Sequence, residues 1–275
     1  MRKSHVRVFA WVLVLSTASS LQARTIRLVC PYAGTITDAY RNEARGMDLE
    51  DTGFLKGLFV QWVDPERCQW NAFVYQSSDV NYSTLWGGHF IYDRYFRAGG
   101  RGKWVAGAGA EVLRIDMDAG PRIAPTIMPA LTGFSLVNNL FIPYGRFGYR
   151  FEFRPKLLVV GIMPWAGAQY QGVRGDLSLA VDPPGPAPLT RISESIDQDD
   201  FFGLAGLNLN SHLFHLLELE GKVYGAFNGE SDYTSVSAMA NLFLTRRIAL
   251  SYRFKYLELP KGTDLYHMWG LAVML

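Results

Sequence analysis

The sequence predicts an all-β chain folded as a single antiparallel transmembrane β-barrel of about twelve strands. Two observations carry this. The first is alternation. From Gly145 to Lys156, Phe147, Tyr149, Phe151 and Phe153 fall on one side; Arg146, Gly148, Arg150, Glu152, Arg154 and Lys156 fall on the other. Near the C-terminus Ile248, Leu250, Tyr252, Phe254 and Tyr256 oppose Arg247, Ser251, Arg253 and Lys255. A period of two is the strand period. Large aromatics opposite Arg, Lys and Glu suit a wall with lipid outside and a polar interior. On this reading Phe147, Phe151, Leu250 and Phe254 face lipid, with Phe151 near mid-bilayer.

The second observation is the rhythm of connections. Short polar turns stand at Asp64–Arg67, Ala98–Gly102, Arg154–Lys156, Asn210–His212 and Thr245–Arg247. Longer connections stand at Ile36–Thr52, Ser78–Ser83, Asp118–Pro143, Gly172–Asp199, Gly229–Tyr233 and Pro260–Asp264. Short and long alternate, as in membrane barrels with short turns at one end and longer loops at the other.

The strands are what remains between these connections. In order they are Thr25–Thr35, Gly53–Val63, Cys68–Ser77, Thr84–Arg97, Lys103–Met117 and Tyr144–Arg154. Leu157–Gln171, Asp200–Asn210, Leu213–Asn228, Thr234–Leu244, Arg247–Leu259 and Leu265–Leu275 follow. An even count returns both ends of the barrel to the same side. The Asp118–Pro143 connection is unusually apolar, with Ile123, Ile127, Met128, Leu131, Phe134, Leu136 and Val137. It reads as folding into the lumen or packing over the barrel mouth. The Pro-rich stretch Val181–Pro188 reads as an outside loop.

Residues 1–23 read as a cleaved secretory signal, leaving 24–275 as the barrel domain. Arg2, Lys3 and Arg7 open it, Val8–Leu15 is apolar, and Ser16–Ala23 supplies small residues. The apolar run is too short to span a bilayer, and no later stretch suits a transmembrane helix. Cys30 lies too far downstream to be a lipid-anchored first residue. Cys30 and Cys68 allow one disulfide in an oxidising compartment, but unpaired residues on non-adjacent strands are expected.

Charge excludes one partner class. The net charge is +2, and no basic run is interleaved with aromatics, so no nucleic acid is expected. Aromatics are 14% of the chain and charged residues 19%, which fits aromatic girdles around a lipid-facing wall. A soluble sandwich or a lipocalin-like barrel would also alternate. Trp62, Trp70 and Trp104, all near short turns, favour the membrane reading through a girdle at that end.

Trp269, Leu271, Val273 and Leu275 place apolar residues at alternating positions up to the last one. In this the chain resembles bacterial outer-membrane β-barrel proteins, whose final strand carries such a pattern as an assembly signal. Leu275 departs from the usual aromatic end. The resemblance implies an outer-membrane location with periplasmic turns and extracellular loops. Its partners would be membrane lipid, lipopolysaccharide and the assembly machinery. No catalytic or cofactor motif accompanies it, and no cofactor is expected.

If the apolar faces point outward, the lumen receives Arg146, Arg150, Arg154, Lys156, Lys222, Arg247, Arg253 and Lys255. Against them stand Glu152, Glu218, Glu220 and Glu111. Eight bases against four acids leave a surplus of +4, which favours anions in a constriction. The bland alternative is a plug of Arg–Glu pairs. Arg150 and Arg253 are the leading selectivity residues because each sits mid-strand. The leading function is a narrow channel for small, preferably anionic solutes. A non-conducting structural or surface-interaction barrel is the alternative, and an outer-membrane lipid-modifying enzyme or protease the second.

Other constellations are weaker. His212 and His215 fall on opposite faces of a strand and cannot share a metal there. His89 and Asp93 share a face, but nothing ties them to a nucleophile such as Ser77 or Ser235. Ser193, Glu194, Asp197, Asp199 and Asp200 lack calcium-loop spacing and read as a solvated loop.

Overall fold

The computed structural model is a closed barrel of twelve antiparallel strands, each paired with its sequence neighbours, and the last with the first. It describes residues 28–42, 47–64, 67–78, 83–97, 102–119, 131–153, 158–181, 190–213, 216–259 and 262–275. The proposed signal segment lies outside these residues, as do His215, Arg154 and Lys156. None of the described residues is helical.

The strands are β1 (Leu28–Asn42), β2 (Met47–Asp64), β3 (Cys68–Ser77), β4 (Ser83–Arg97), β5 (Gly102–Ala119) and β6 (Leu131–Phe153). Then come β7 (Leu158–Val181), β8 (Thr190–Leu213), β9 (Leu217–Phe227), β10 (Tyr233–Phe243), β11 (Ile248–Leu259) and β12 (Gly262–Val273). The expected count holds, as does the short turn at Thr245–Arg247; Arg154–Lys156 and the centres of Asp64–Arg67 and Ala98–Gly102 lie outside the described residues. The expected turn at Asn210–His212 is strand, because β8 continues to Leu213 and β9 begins at Leu217. Asn210 and His212 instead sit on the polar inner face of β8, so their polarity marks a lumen rather than a turn.

Three expected long connections are mostly strand. The β1–β2, β5–β6 and β7–β8 connections shrink to residues 43–46, 120–130 and 182–189. Strands β5 to β8 therefore rise well above β9 to β12, which have 11 or 12 residues each. At the low rim, residues 228–232 turn tightly between β9 and β10. Gly229 takes φ 84°, Asn228 Oδ1 accepts from Glu230 and Ser231, and Asp232 Oδ1 accepts from Asn228 and Gly229.

Alternation fixes which residues face out. Phe54, Phe90, Phe96, Trp104, Phe147, Phe151, Leu219, Leu250, Trp269 and Leu271 are all exposed on the outer wall. Trp104 stacks on Phe147 at 5.2 Å, with Tyr149 edge-on at 4.9 Å. Trp62 and Trp70 are register partners near the β2–β3 turn. Trp269 packs on Tyr252 at 4.4 Å. The buried apolar residues lie inside the barrel. One cluster includes Tyr32, Ile36, Leu55, Phe59, Phe73 and Tyr266; the other includes Tyr95, Val105, Met163, Trp165, Phe202 and Leu204. Cys30 and Cys68 are free, on β1 and β3 with β2 between them.

Phe151 is not at mid-height. It pairs with Gly102, the first residue of β5, next to the short turns. Phe147, paired with Ala106, sits further into the span. Phe147→Arg is therefore expected to destabilise the barrel by about 2–4 kcal/mol, and Phe151→Arg by only about 0–1 kcal/mol. Denaturant titration of both variants refolded into lipid bilayers measures this difference.

Candidate functional site in the barrel lumen

The lumen holds a cavity of about 240 Å³. Among its lining residues are His89, Asp93, Glu111, Ile142, Arg146, Arg150, Trp165, Glu220, Lys222, Arg253 and Lys255. Ionic side chains that turn away from an apolar wall must be satisfied by one another, because an uncompensated buried charge is costly. Most are.

Arg146 on β6 reaches over β5 to Asp93 on β4. Its Nε lies 3.0 Å from Asp93 Oδ1 and its Nη2 2.6 Å from Oδ2. Gln69 Nε2 donates to the same carboxylate at 2.8 Å. This two-pronged pair depends on Gly107 of β5. A Cβ there would collide with Asp93 and stand 3.0 Å from Arg146 Nε. Lys255 on β11 crosses the lumen to Glu111 on β5, with Nζ 3.1 Å from Oε1. Gln61 on β2 crosses to Glu220 on β9 at 3.3 Å. Glu218 Oε2 accepts from Asn241 at 3.1 Å, and Asn241 Oδ1 accepts from Ser251 at 2.5 Å. Tyr32 continues that chain to Ser251, and His212 Nδ1 lies 3.5 Å from Glu218 Oε1 at its other end. Toward the short turns, Glu152 sits 3.8 Å from Lys103. Arg150 Nε lies 3.3 Å from Glu152 Oε1 without the alignment of a hydrogen bond.

Two cations are held differently. Lys222 Nζ sits 4.6 Å from the Tyr224 ring centroid, 5.4 Å from that of Trp165 and 5.7 Å from that of Tyr144. Arg253 lies over Phe59 at 3.6 Å, with Phe73 at 5.3 Å and Tyr32 at 5.6 Å. Among the described residues neither has a carboxylate within ion-pair distance. Glu220 acts on Arg253, and Glu111 and Asp93 on Lys222, only through space. Ring faces attract cations but accept no strong hydrogen bond. Arg146 adds a third open donor. Its Nη1 is buried without an acceptor, and its guanidinium lies 5.5 Å from the same Trp165 ring. Trp165 is itself held by an Nε1 hydrogen bond to Asn208 at 2.8 Å.

The structure alters the expected charge balance. Inward-facing bases across the span are Lys103, Arg146, Arg150, Lys222, Arg253 and Lys255. Acids are Asp93, Glu111, Glu152, Glu218 and Glu220, with Asp38, Asp51 and Asp264 together at the outer rim by register. Arg247 is an exposed turn residue. Among the described residues these bases and acids nearly balance; Arg154 and Lys156, which the expected surplus of +4 included, lie outside them. Asp93 was missed as a lumen charge because Tyr92 and Arg94 flank it in a strand without clean alternation. Arg150 stands beside Lys103, near the short turns rather than mid-height. Lys222, by contrast, is central and open. His89 and Asp93 do not act together, since Asp93 is committed to Arg146 and Gln69 and His89 packs on Phe73. Ser77 Oγ accepts from the Leu85 backbone and stays remote from His89.

Above the span, the polarity of the wall reverses. The inner row is apolar on β5, with Leu113, Ile115 and Met117, and largely so on β6, where Phe134, Leu136, Leu140 and Ile142 are interrupted by Asn138. Register sets Val173, Leu177 and Leu179 of β7 beside them, whereas the inner row of β8 is mixed, Ile192 and Ile196 alternating with Glu194, Gln198 and Asp200. The outer row carries Arg114, Asp116, Asn139, Arg174, Asp176, Asp197 and Asp199, mostly exposed. There Arg174 Nη1 holds Asp199 at 2.8 Å and Asp197 at 2.9 Å, and Tyr170 donates to Asp199 at 2.6 Å.

With this geometry, the class the fold defines is a transmembrane β-barrel of the bacterial outer-membrane type. The solved structures it resembles are of that type. The translocator domain of the autotransporter NalP from Neisseria meningitidis aligns over 98% of this chain and 96% of its own, with TM-score 0.56 and 14% identity. The transport unit of the autotransporter AIDA-I from Escherichia coli aligns over 97% of both chains, with TM-score 0.56 and 9% identity. The P. putida toluene transporter TodX aligns over 92% of this chain and 91% of its own, with TM-score 0.47 and 10% identity. At these identities the likeness is one of fold. No family model and no curated protein matches the chain.

Two expectations follow. Asp93→Ala strands Arg146 in the lumen and is expected to cost about 3–5 kcal/mol, whereas Asp93→Leu with Arg146→Met recovers most of that loss; equilibrium unfolding of the three proteins reads it. The second concerns pH. The Arg174 hydrogen bond, then that of Tyr170, hold Asp199 below its ordinary value of 3.8. Its stabilisation is thus complete above that value and lost as pH falls through the lowered one. Amide exchange around Gln198 should accelerate, relative to intrinsic rates, only below about pH 4.

Proposed function

We propose that the chain is an outer-membrane barrel that admits small anionic solutes to its lumen. Lys222, Arg253 and the open Nη1 of Arg146 form the selective point. One observation carries this reading: three cationic groups face one cavity with aromatic rings or nothing where acceptors belong. An anion would supply the missing hydrogen bonds, and a ring-walled, partly dehydrated site strengthens its attraction. Selectivity then rests on the position of unneutralised cations rather than on a net positive lumen.

Side chains bridge opposite walls at Lys255–Glu111 and Gln61–Glu220. Those crossings favour, as the second reading, a barrel that binds without conducting. Planar bilayers separate the two. In a salt gradient the wild type should show an anion-preferring reversal potential. Lys222→Gln with Arg253→Gln should shift it toward zero, more strongly at low salt. A folded double variant with an unchanged potential would remove these residues from the path. Folded protein without conductance would support the binding reading.

A further inference from the structure

The reversal of polarity along the wall says what kind of anion. Within the span, polar residues face in because lipid lies outside. Above it, water lies on both sides, and an exposed sheet ordinarily turns its apolar row toward a covering layer. Here strands β5 to β8 rise above the low rim of β9 to β12, and their inner row stands half-exposed over the mouth. That row is continuous with the cavity. Ile142 lines the cavity and heads the β6 series Leu140, Leu136 and Phe134. Its register neighbours Leu113, Val173, Leu177 and Leu179 widen the strip.

The cavity of about 240 Å³ equals about eight water volumes of 30 Å³ each. It holds a carboxylate head and a few carbons, and no long chain. A longer tail has one apolar way out, along the Ile142–Leu140 strip. Elsewhere the mouth is edged by Asp38, Asp51 and Asp264 at the β1, β2 and β12 rim and by Glu194 and Asp200 on the inner row of β8. We infer that the ligand is an amphipathic carboxylate, its head at Lys222, Arg146 and Arg253 and its hydrocarbon tail on the inner face of the β5–β7 extension. This rests on the anion reading above and adds the tail.

The test is calorimetry on the full barrel in lipid nanodiscs, with empty nanodiscs as reference and acetate, hexanoate, octanoate and decanoate as probes. Affinity should rise roughly fourfold for each added methylene that reaches the strip. Leu140→Gln with Leu177→Gln should flatten that dependence while leaving acetate binding intact. The outward Asn139→Gln should leave both unchanged. Lys222→Gln with Arg253→Gln should weaken every probe, acetate included. Acetate binding without any rise along the series, or a rise untouched by Leu140→Gln with Leu177→Gln, overturns the tail and leaves the anion site standing. Absence of binding by all four probes overturns the anion site itself.

Discussion

Every polar side chain in the spanning wall has one direction to turn, and the tube it turns into is narrow. That constraint organises the molecule. The outer wall faces lipid, which cannot solvate charge, so charge collects inside. Inside, the walls are close enough for Lys255 and Glu111 to meet across the lumen from β11 and β5. The interior is therefore crossed by paired side chains that surround a cavity of about 240 Å³. Packing sets local demands in turn. Arg146 spans β5 to reach Asp93 only because Gly107 carries no side chain in its way. Aromatic rings fill the remaining volume and become the seats of cations that have no carboxylate.

The same constraint explains the change of face above the span. A strand keeps its alternation when it leaves lipid, but its surroundings change. Facing in at the level of Arg146 means facing polar partners. Facing in at the level of Leu136 means facing the apolar residues of the neighbouring strands, half-exposed over the mouth. Arg174, Asp197 and Asp199 stand on the water side there, in the register that places Phe147 and Phe151 on the lipid side lower down. Strands β5 to β7 thus carry two opposite amphipathic patterns in series, joined near Ile142.

That junction also marks where the sequence became hard to read. Twelve strands and the orientation of their faces were legible, because the Phe147–Phe153 and Ile248–Tyr256 patterns persist over many residues. The strand extensions were not. Residues 131–142 looked like an apolar loop and 172–181 like part of a long connection. In fact Val173, Leu177, Leu179 and Val181 alternate with Arg174, Asp176, Ser178 and Ala180 in plain strand rhythm. The inverted phase hid it: a search for apolar-out strands passes over apolar-in ones. The lumen network was legible in part. Arg146, Lys222, Arg253 and Lys255 follow from alternation, whereas the Arg146–Asp93 pairing depends on barrel register and on a glycine between them.

Charge counts from sequence mislead for a related reason. Counting one strand face at a time finds the basic strands and overlooks Asp38, Asp93 and Asp264, whose neighbours do not alternate cleanly. Among the described residues the lumen is close to neutral, yet neutrality of the whole says little about any one point. A carboxylate within hydrogen-bond reach cancels a cation locally, while one acting through space leaves its donors open. Lys255 belongs to the first kind and Lys222 to the second, though both line one cavity. What distinguishes them is the residue opposite. Glu111 faces Lys255, and the rings of Tyr144, Trp165 and Tyr224 face Lys222. A ring face holds a cationic side chain in place without occupying its donors, which is the condition a site needs to take up an anion from outside.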